Sequence, residues 1–279
     1  MLLGVHVSAA KNLALAPQRA QEVDAEVFQF FSRSPQGGSA AKITPELAAE
    51  FKANCKKYKQ AHCYIHTPYY INLASTNNRI YYGSISVIRE ELERGSLLGV
   101  QYVMTHIGTS HGMTKSKALT LVIAGLRKVL DDYTGSTKLL LEISAGSGEI
   151  IGSSFEEMAV ILKGVGKKDV GVCFDTAHAF ASGYDLRTLP AVNATLRKFD
   201  QVIGLSRLKL VHANDSKVDF NSRKDRHEHI GLGKIGLVGF CALLAHPKLQ
   251  KVDFCLETPE DDRREDKENL AVMKKLRKH

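Results

Sequence analysis

The sequence contains no tryptophan, and its five cysteines form no Cys-x-x-Cys pair. An odd number of cysteines without paired spacing argues against a disulfide framework and against a cysteine-based structural zinc site. We therefore expect the thiols, such as those of Cys173 and Cys255, to be small buried groups in a reducing compartment. No apolar stretch approaches the ~20 residues that a transmembrane helix requires, and the N-terminus lacks the cleavage pattern of a signal peptide. A cytoplasmic location is the expectation.

Low-complexity tracts and composition breaks are also absent, so nothing indicates a disordered segment or a linker. The length of 279 residues is usual for a (β/α)8 barrel, and 44% hydrophobic residues are enough for a large core. We expect one domain that spans residues 1–279. The formal net charge of +8 favours a polyanionic partner, because counterions are released when Lys and Arg neutralise phosphates. Many basic proteins never bind nucleic acid, so the charge does not identify the partner by itself.

Short apolar runs alternate with amphipathic segments along the whole chain. Eight runs are typical of buried parallel strands, at residues 2–8, 26–31, 63–66, 102–106, 138–143, 170–175, 208–212 and 252–257. Helical patterns lie between them, for example at 46–58, 79–98, 115–131 and 155–162. Thr44 before Pro45 is a typical helix start. The alternation predicts the α/β class and a TIM (β/α)8 barrel. Three long connections, 32–43, 67–78 and 214–235, are expected to carry function at its mouth.

Histidines and carboxylates end most of the predicted strands. The C-terminal strand ends of a barrel converge on one mouth, so these side chains are expected to lie together. The strand-end donors are His66, His106, Glu142, Asp175, His212 and Glu257. A single buried histidine is more often a hydrogen-bonded core residue than a metal ligand. Several of them beside buried carboxylates favour ligation, because unpaired buried charges are costly and a metal offsets that cost.

Three further donors lie outside the strands. His178 follows Asp175 by three residues, a spacing that puts both side chains on one side of a helical turn. For Asp175 alone, the ordinary alternative is a helix N-cap. Asp225 and His227 lie in a donor-rich loop, for which a solvated polar loop is the alternative. The glycines after it, at 231, 233 and 236, lack the strand and Gly-Lys-Ser/Thr context of a phosphate loop and are expected to turn the backbone.

Nine donors are too many for one tetrahedral ion and suit two or three ions, with Glu142 as a natural bridge. Mixed histidine and carboxylate ligation is typical of zinc or manganese. Closely spaced ions of this kind can hydrolyse a phosphodiester, because they stabilise both the attacking and the leaving oxygen. The candidate ligands are His66, His106, Glu142, Asp175, His178, His212, Asp225, His227 and Glu257.

At these residues the sequence resembles the endonuclease IV family of apurinic/apyrimidinic (AP) endonucleases, which are trinuclear zinc enzymes of base-excision repair on a TIM barrel. The resemblance covers nearly the whole chain. It rests on the segments 4–10 (GVHVSAA), 70–73 (YINL), 171–180 (GVCFDTAHAF), 183–185 (GYD), 212–217 (HANDSK), 225–227 (DRH) and 256–258 (LET).

The resemblance implies three zinc ions, with Mn²⁺ as an alternative at one site. The implied ligand sets are His66, His106 and Glu142; Glu142, Asp175, His212 and Glu257; and His178, Asp225 and His227. The implied reaction is hydrolysis of the phosphodiester 5′ to an abasic site, which leaves a 3′-hydroxyl, with Glu142 positioning or deprotonating the water. Trimming of blocked 3′ ends is also implied. The expected partner is double-stranded DNA with such lesions, bound by a monomer that is associated with the nucleoid if the source is bacterial.

DNA contacts are implied for Tyr69, Tyr70, Gln36 and Arg226. The family's recognition loop usually carries an Arg and a Trp, whereas this chain has Gln36 at the Arg position and no tryptophan. Such side chains help to offset the few kcal/mol that extruding a nucleotide costs. We therefore expect weaker AP-site binding with the metal chemistry preserved. The segment 106–111 reads HIGTSH where the family commonly has HPGSH, so His111 is assigned no role.

Two alternatives remain open at this point. Sugar isomerases use carboxylates and histidines around one or two divalent metals on related barrels, but they need neither a third metal nor a basic surface. A non-catalytic DNA-binding protein on a decayed barrel is the other, and the complete donor set argues against it because clustered carboxylates without a cation repel one another. A count of about three zinc ions per chain would favour the nuclease.

Overall fold

The predicted barrel is confirmed by a computed structural model, which describes residues 1–278. Eight parallel strands close into a barrel. They are β1 Leu3–His6, β2 Val27–Phe30, β3 Cys63–His66, β4 Tyr102–Thr105, β5 Lys138–Glu142, β6 Gly171–Asp175, β7 Leu208–His212 and β10 Asp253–Leu256, and two short strands between β7 and β10 lie outside the barrel. Their order around the barrel is β1-β10-β7-β6-β5-β4-β3-β2. Each lies within one of the eight predicted runs. Because all eight are parallel, their C-terminal ends form one mouth.

Helices connect consecutive strands and cover the outside of the barrel. They are α1 Ala16–Glu22, α2 Pro45–Lys57, α3 Asn78–Leu98, α4 Lys115–Leu130, α5 Phe155–Val165, α6 Thr176–Ala181, α7 Leu189–Val202, α8 Gly236–Ala245 and α9 Asp266–Arg277. Local chemistry explains their ends: the Thr44 side chain accepts a hydrogen bond from the Leu47 N–H at the start of α2, as predicted. Helix α3 ends at Leu98 and is capped by Gly99, which has a φ of 76°. No helix within residues 1–278 is long and apolar enough to cross a membrane.

Two hydrophobic layers hold the barrel together. Outward-facing strand residues pack against the helices in the larger core. A smaller cluster fills the barrel interior and consists of Val27, Tyr64, Met104, Leu140, Cys173, Leu210 and Cys255. Cys63, Cys173 and Cys255 are buried thiols, as expected. The filled interior makes the barrel a solid support and leaves polar side chains to line the mouth above it.

The long connection after β7 contains an unpredicted antiparallel ribbon. Strand β8 (Asp215–Ser216) pairs with β9 (His227–Glu228), and the Lys217 N–H donates to the carbonyl of Arg226 at 3.0 Å. The ribbon folds the segment 217–226 back over the mouth. It therefore delivers Asp225 and His227 to the same end of the barrel as the strand-end donors.

Candidate metal centre

All nine predicted donors come together at the barrel mouth. His66, Glu142, Asp175 and His212 are the last residues of β3, β5, β6 and β7. His106 and Glu257 follow the last residues of β4 and β10, and His178 lies on α6 directly after β6. Asp225 and His227 arrive on the ribbon. Seven separate segments of the chain thus contribute to one cluster.

Glu142 lies at the centre of this cluster. Its Oε2 is 2.8 Å from His106 Nε2 and 4.0 Å from His66 Nε2. Its Oε1 is 2.9 Å from His212 Nδ1 and 3.5 Å from His178 Nδ1. One carboxylate therefore faces His66 and His106 with one oxygen and His212 with the other, which is the geometry that a bridging ligand requires.

The donor atoms form overlapping groups in which all atoms lie within 4.8 Å of one another. These groups are His66, His106 and Glu142; Glu142, Asp175, His212 and Glu257; Asp175, His178 and His227; and Glu142, Cys173 and His212. The first two coincide with two of the sets that the family resemblance implies. The Cys173 thiol has its pKa raised to about 12 by burial, so it is protonated and a poor ligand.

The third group differs in detail from the implied set, because Asp175 takes part in it. Asp225 still faces both of its expected partners. Its Oδ2 is 3.1 Å from His178 Nε2, and its Oδ1 is 3.4 Å from His227 Nε2. Asp175 Oδ2 is 3.7 Å from His227 Nε2. Asp175 is thus placed between the second and third groups, as Glu142 is between the first and second.

Buried polar atoms without partners indicate that the site fits cations. Within residues 1–278, Glu142 Oε2, His178 Nε2 and His227 Nε2 are buried and make no hydrogen bond of acceptable geometry, although other donor atoms of the cluster lie 2.8, 3.1 and 3.4 Å from them. Such atoms are rare in proteins and need an explanation. The nine donors include four carboxylates, so the set carries a formal charge of −4 when its five histidines are neutral. Divalent ions would satisfy both the lone pairs and this charge.

Backbone carbonyls orient three of the histidines. The Nδ1 of His66 contacts the Thr67 carbonyl at 2.5 Å, that of His178 the Ile143 carbonyl at 2.9 Å, and that of His227 the Glu257 carbonyl at 3.0 Å. A carbonyl only accepts hydrogen bonds, so Nδ1 carries a proton and Nε2 is the nitrogen that faces the cluster. This is the usual arrangement around a ligating histidine.

The carboxylates and histidines shift one another's pKa values. Burial opposes protonation of His178, but Asp175 and Asp225 outweigh it and raise the pKa of the imidazole well above its usual range. Burial dominates at His66, whose pKa falls to about 3. Burial also raises the pKa of Asp225, but His178 and His227 outweigh this effect and lower it to about 2. Cations at the centre would replace the protons that now balance the carboxylates.

Sequence reasoning assigned no role to two residues that hold the donors in place. Gln29 on β2 donates from Nε2 to Glu257 Oε1 at 2.6 Å, and its Oε1 contacts His212 Nε2 at 2.8 Å. Asn214 donates from Nδ2 to Asp175 Oδ2 at 2.6 Å and accepts from the Glu257 N–H. In the sequence, the importance of Gln29 is indicated only by its position as the single amide inside the apolar run Val27–Phe30, because a buried polar group requires hydrogen-bond partners.

Asp175 and Asp215 show how helix ends and loops are built around the site. Asp175 is both the N-cap of α6, accepting from the His178 N–H at 2.7 Å, and a member of the donor cluster. The N-cap role is therefore observed, and it is compatible with a place in the donor cluster. Asp215 is buried and accepts hydrogen bonds from the N–H groups of Gly231, Gly233, Ile235 and Gly236. The glycine segment thus turns around a carboxylate of its own chain, as expected for a backbone turn.

The four candidate DNA-contact residues lie on the surface around the mouth. Tyr69 is 61% exposed, with its ring centroid 5.5 Å from that of His66. Tyr70 and Gln36 line a surface groove of about 460 Å³ beside α3. Arg226 is exposed and donates to the Asp225 carbonyl at 2.6 Å. His111 is exposed, and its backbone adopts the left-handed conformation, with a φ of 44°.

Known proteins are similar to this chain in sequence and in architecture. The family described as xylose isomerase-like TIM barrel matches residues 17–276. A probable endonuclease 4 from Methanoculleus marisnigri is 41% identical over 278 residues, covering 99% of both chains. The crystal structure of endonuclease IV from Thermus thermophilus superposes with a TM-score of 0.87 at 33% identity, covering 99% of this chain and 98% of that one. A D-tagatose 3-epimerase-like protein, at 20% identity and a TM-score of 0.72 over 100% of this chain and 96% of that one, shares the fold.

Proposed function

This chain belongs to the endonuclease IV family, and from that membership and the donor geometry we propose that it hydrolyses the DNA phosphodiester 5′ to an abasic site. The products would be a 3′-hydroxyl and a 5′-deoxyribose phosphate. Removal of blocking groups from 3′ ends is a proposed second activity, because it breaks the same type of bond. The class of enzyme is a metal-dependent hydrolase acting as a nuclease.

The observation that carries the proposal is the placement of Glu142 and Asp175 between adjoining donor groups. We assign three Zn²⁺ ions to these groups, with Mn²⁺ as an alternative at one of them. Bound there, closely spaced divalent ions would neutralise the phosphate and lower the pKa of a water molecule. The nine residues named above would hold them, with Asp225 joining His178 and His227.

The exposed edge of the cluster indicates how DNA reaches it. Asp225 and His106 have side chains that are 49% and 26% exposed, whereas Glu142, Asp175 and His212 are almost completely buried. A phosphate would therefore approach between the ribbon and the end of β4. From the buried side, the Glu142 carboxylate would orient the attacking water and accept its proton.

DNA binding is proposed for the surface around this edge. Tyr69 and Tyr70 offer exposed rings that can fill the gap in a base stack at an abasic site. Gln36 offers an amide in the groove that Tyr70 also lines, and Arg226 offers an exposed guanidinium on the ribbon next to Asp225. The formal net charge of +8 would contribute affinity that does not depend on sequence. The substrate is thus double-stranded DNA with abasic sites or blocked 3′ ends, and we propose that one copy of the chain suffices.

A sugar isomerase is the competing function because related barrels carry out that chemistry. The D-tagatose 3-epimerase-like protein shares the fold at 20% identity, which carries no activity over to this chain. The contacts of Asp225 with His178 and His227 build a third group that one or two metal ions do not require. These contacts favour the nuclease.

The test is incision of a duplex with a single tetrahydrofuran abasic-site analogue. We expect one chelator-sensitive cut on the 5′ side, restored by Zn²⁺, with a 3′ end that a DNA polymerase extends. Glu142→Gln should abolish the cut without preventing folding, whereas Glu50→Gln, at an exposed position on α2, should cut normally. The absence of the cut, or a cut that chelation and Glu142→Gln leave unchanged, would refute the proposal.

A further inference from the structure

The segment 183–187, just after α6, contributes nothing to the donor cluster, although Gly183-Tyr184-Asp185 belongs to the family pattern. Asp185 binds Arg187 through three contacts. Its Oδ1 accepts from the Arg187 backbone N–H and from Nε, both at 3.0 Å, and its Oδ2 accepts from Nη2 at 2.8 Å. A guanidinium held by a bidentate carboxylate has a fixed orientation.

Arg187 packs against two aromatic rings that also contact each other. Its guanidinium carbon lies 5.7 Å from the ring centroid of Phe180 on α6 and 5.4 Å from that of Phe220 on the ribbon loop. The two rings are themselves 5.5 Å apart. Phe180 is completely buried and Phe220 is 39% exposed. The cation therefore joins the helix that carries His178 to the loop that carries Asp225.

Backbone hydrogen bonds also join α6 to the ribbon loop, next to the contacts of Arg187 with Phe180 and Phe220. The Asn221 N–H donates to the Phe180 carbonyl at 3.1 Å, and the Arg223 N–H donates to the Ala181 carbonyl at 3.0 Å. Asn221 and Arg223 both have positive φ values, 59° and 57°, which are uncommon outside glycine. The tip of the ribbon loop is thus bent onto the C-terminal end of α6, two residues before Asp225.

We propose that Arg187 is a positioning residue that sets the Asp225 side chain against His178 and so completes the third metal group. The inference rests on the proposed function. Asp225 is the most exposed donor of the cluster and the one that lies in a loop, so its place depends on how that loop is held. Arg187 makes its contacts with Asp185, Phe180 and Phe220, none of which is a metal donor.

Metal content is the direct readout. We expect Arg187→Ala to retain two tightly bound Zn²⁺ ions and to bind the third roughly 10- to 100-fold more weakly, the usual effect of losing a group that orients a ligand. Phe220→Ala, which removes the more exposed ring, should weaken binding of the third ion in the same way. Arg197→Ala, at an exposed arginine on α7, is the matched control and should bind three ions normally. Excess Zn²⁺ should restore both the third ion and incision in Arg187→Ala.

Three results would overturn the inference. One is wild-type affinity for the third ion in Arg187→Ala, and another is an equal loss of all ions together with reduced stability of the metal-free protein. The third is failure of excess Zn²⁺ to restore the ion. The Asp225→Asn variant distinguishes failure of the positioning role from failure of the proposed function. If Asp225→Asn loses an ion while Arg187→Ala does not, only the positioning role of Arg187 is wrong. If Asp225→Asn loses none, the proposed third metal group is wrong as well.

Discussion

Gln36 lies exposed on the loop after β2, beside the ring of Tyr70. An arginine there would add a cation and a planar group that can stack on an unpaired base. We expect Gln36→Arg to tighten binding of abasic DNA by about 1 kcal/mol, roughly fivefold, and to steepen its salt dependence by about one unit. A gel-shift titration measures both. Gln21→Arg, an equal charge change on the distant helix α1, should have a smaller effect. Unchanged affinity in Gln36→Arg would contradict the expectation.

The donors were predictable from the sequence, whereas the residues that orient them were not. Six of the predicted donors are histidines or carboxylates at the ends of apolar runs, and parallel strands bring such positions to one mouth, whereas His178, Asp225 and His227 were predicted from local spacing and from the family resemblance. Gln29 and Asn214 have amide side chains whose importance depends on partners more than 180 and about 40 residues away in the chain. The part of Asp175 in the third group also depends on tertiary distances.

The loop between β2 and α2 is attached to α3 by a buried charge cluster. Glu91, which is completely buried, accepts from Arg33 Nε at 2.6 Å and from Ser32 Oγ at 2.5 Å. Arg94 donates to Ser32 Oγ at 2.7 Å and to the Ala41 carbonyl at 2.6 Å. Both ends of the loop that presents Gln36 are therefore anchored on one helix.

We expect Glu91→Gln to lower the free energy of unfolding by about 3–5 kcal/mol, because it leaves the buried Arg94 guanidinium without its counter-charge and Arg33 with only the half-exposed Glu90. The matched variant is Glu90→Gln, which removes the half-exposed partner of Arg33 and should cost about 1 kcal/mol or less. Urea denaturation of the metal-free proteins measures both. A difference smaller than ~1 kcal/mol between the two variants would show that the cluster does not stabilise this part of the protein.

Elements with a regular pattern were predictable, and those formed by tertiary contacts were not. The eight barrel strands follow from apolar runs, and α2 follows from the Thr44 cap and Pro45. The ribbon of β8 and β9 has two residues in each strand, Asp215–Ser216 and His227–Glu228, with no apolar alternation. It forms because the Asp215 carboxylate accepts hydrogen bonds from the glycine turn and because the loop tip is hydrogen-bonded to α6.

In the molecule as a whole, the filled barrel and its helices provide the stability, and the residues at the barrel mouth provide the chemistry. The interior cluster and the helices hold the strands, while four carboxylates and five histidines collect at one end. The carboxylates repel one another without a counter-charge, so cations are expected to stabilise the folded state as well as to enable hydrolysis. The same barrel carries sugar epimerases, so the donor set, not the fold, distinguishes the functions.

The number of metal ions per chain tests the trinuclear assignment most directly. Native mass spectrometry of the purified protein, with elemental analysis to identify the metal, should find three ions, mainly zinc, in the wild-type chain. Asp225→Asn should hold two, and the same preparations should show incision of abasic DNA only in the three-ion form. A wild-type chain that incises abasic DNA while holding one ion or none would contradict the assignment of these nine residues to a trinuclear centre.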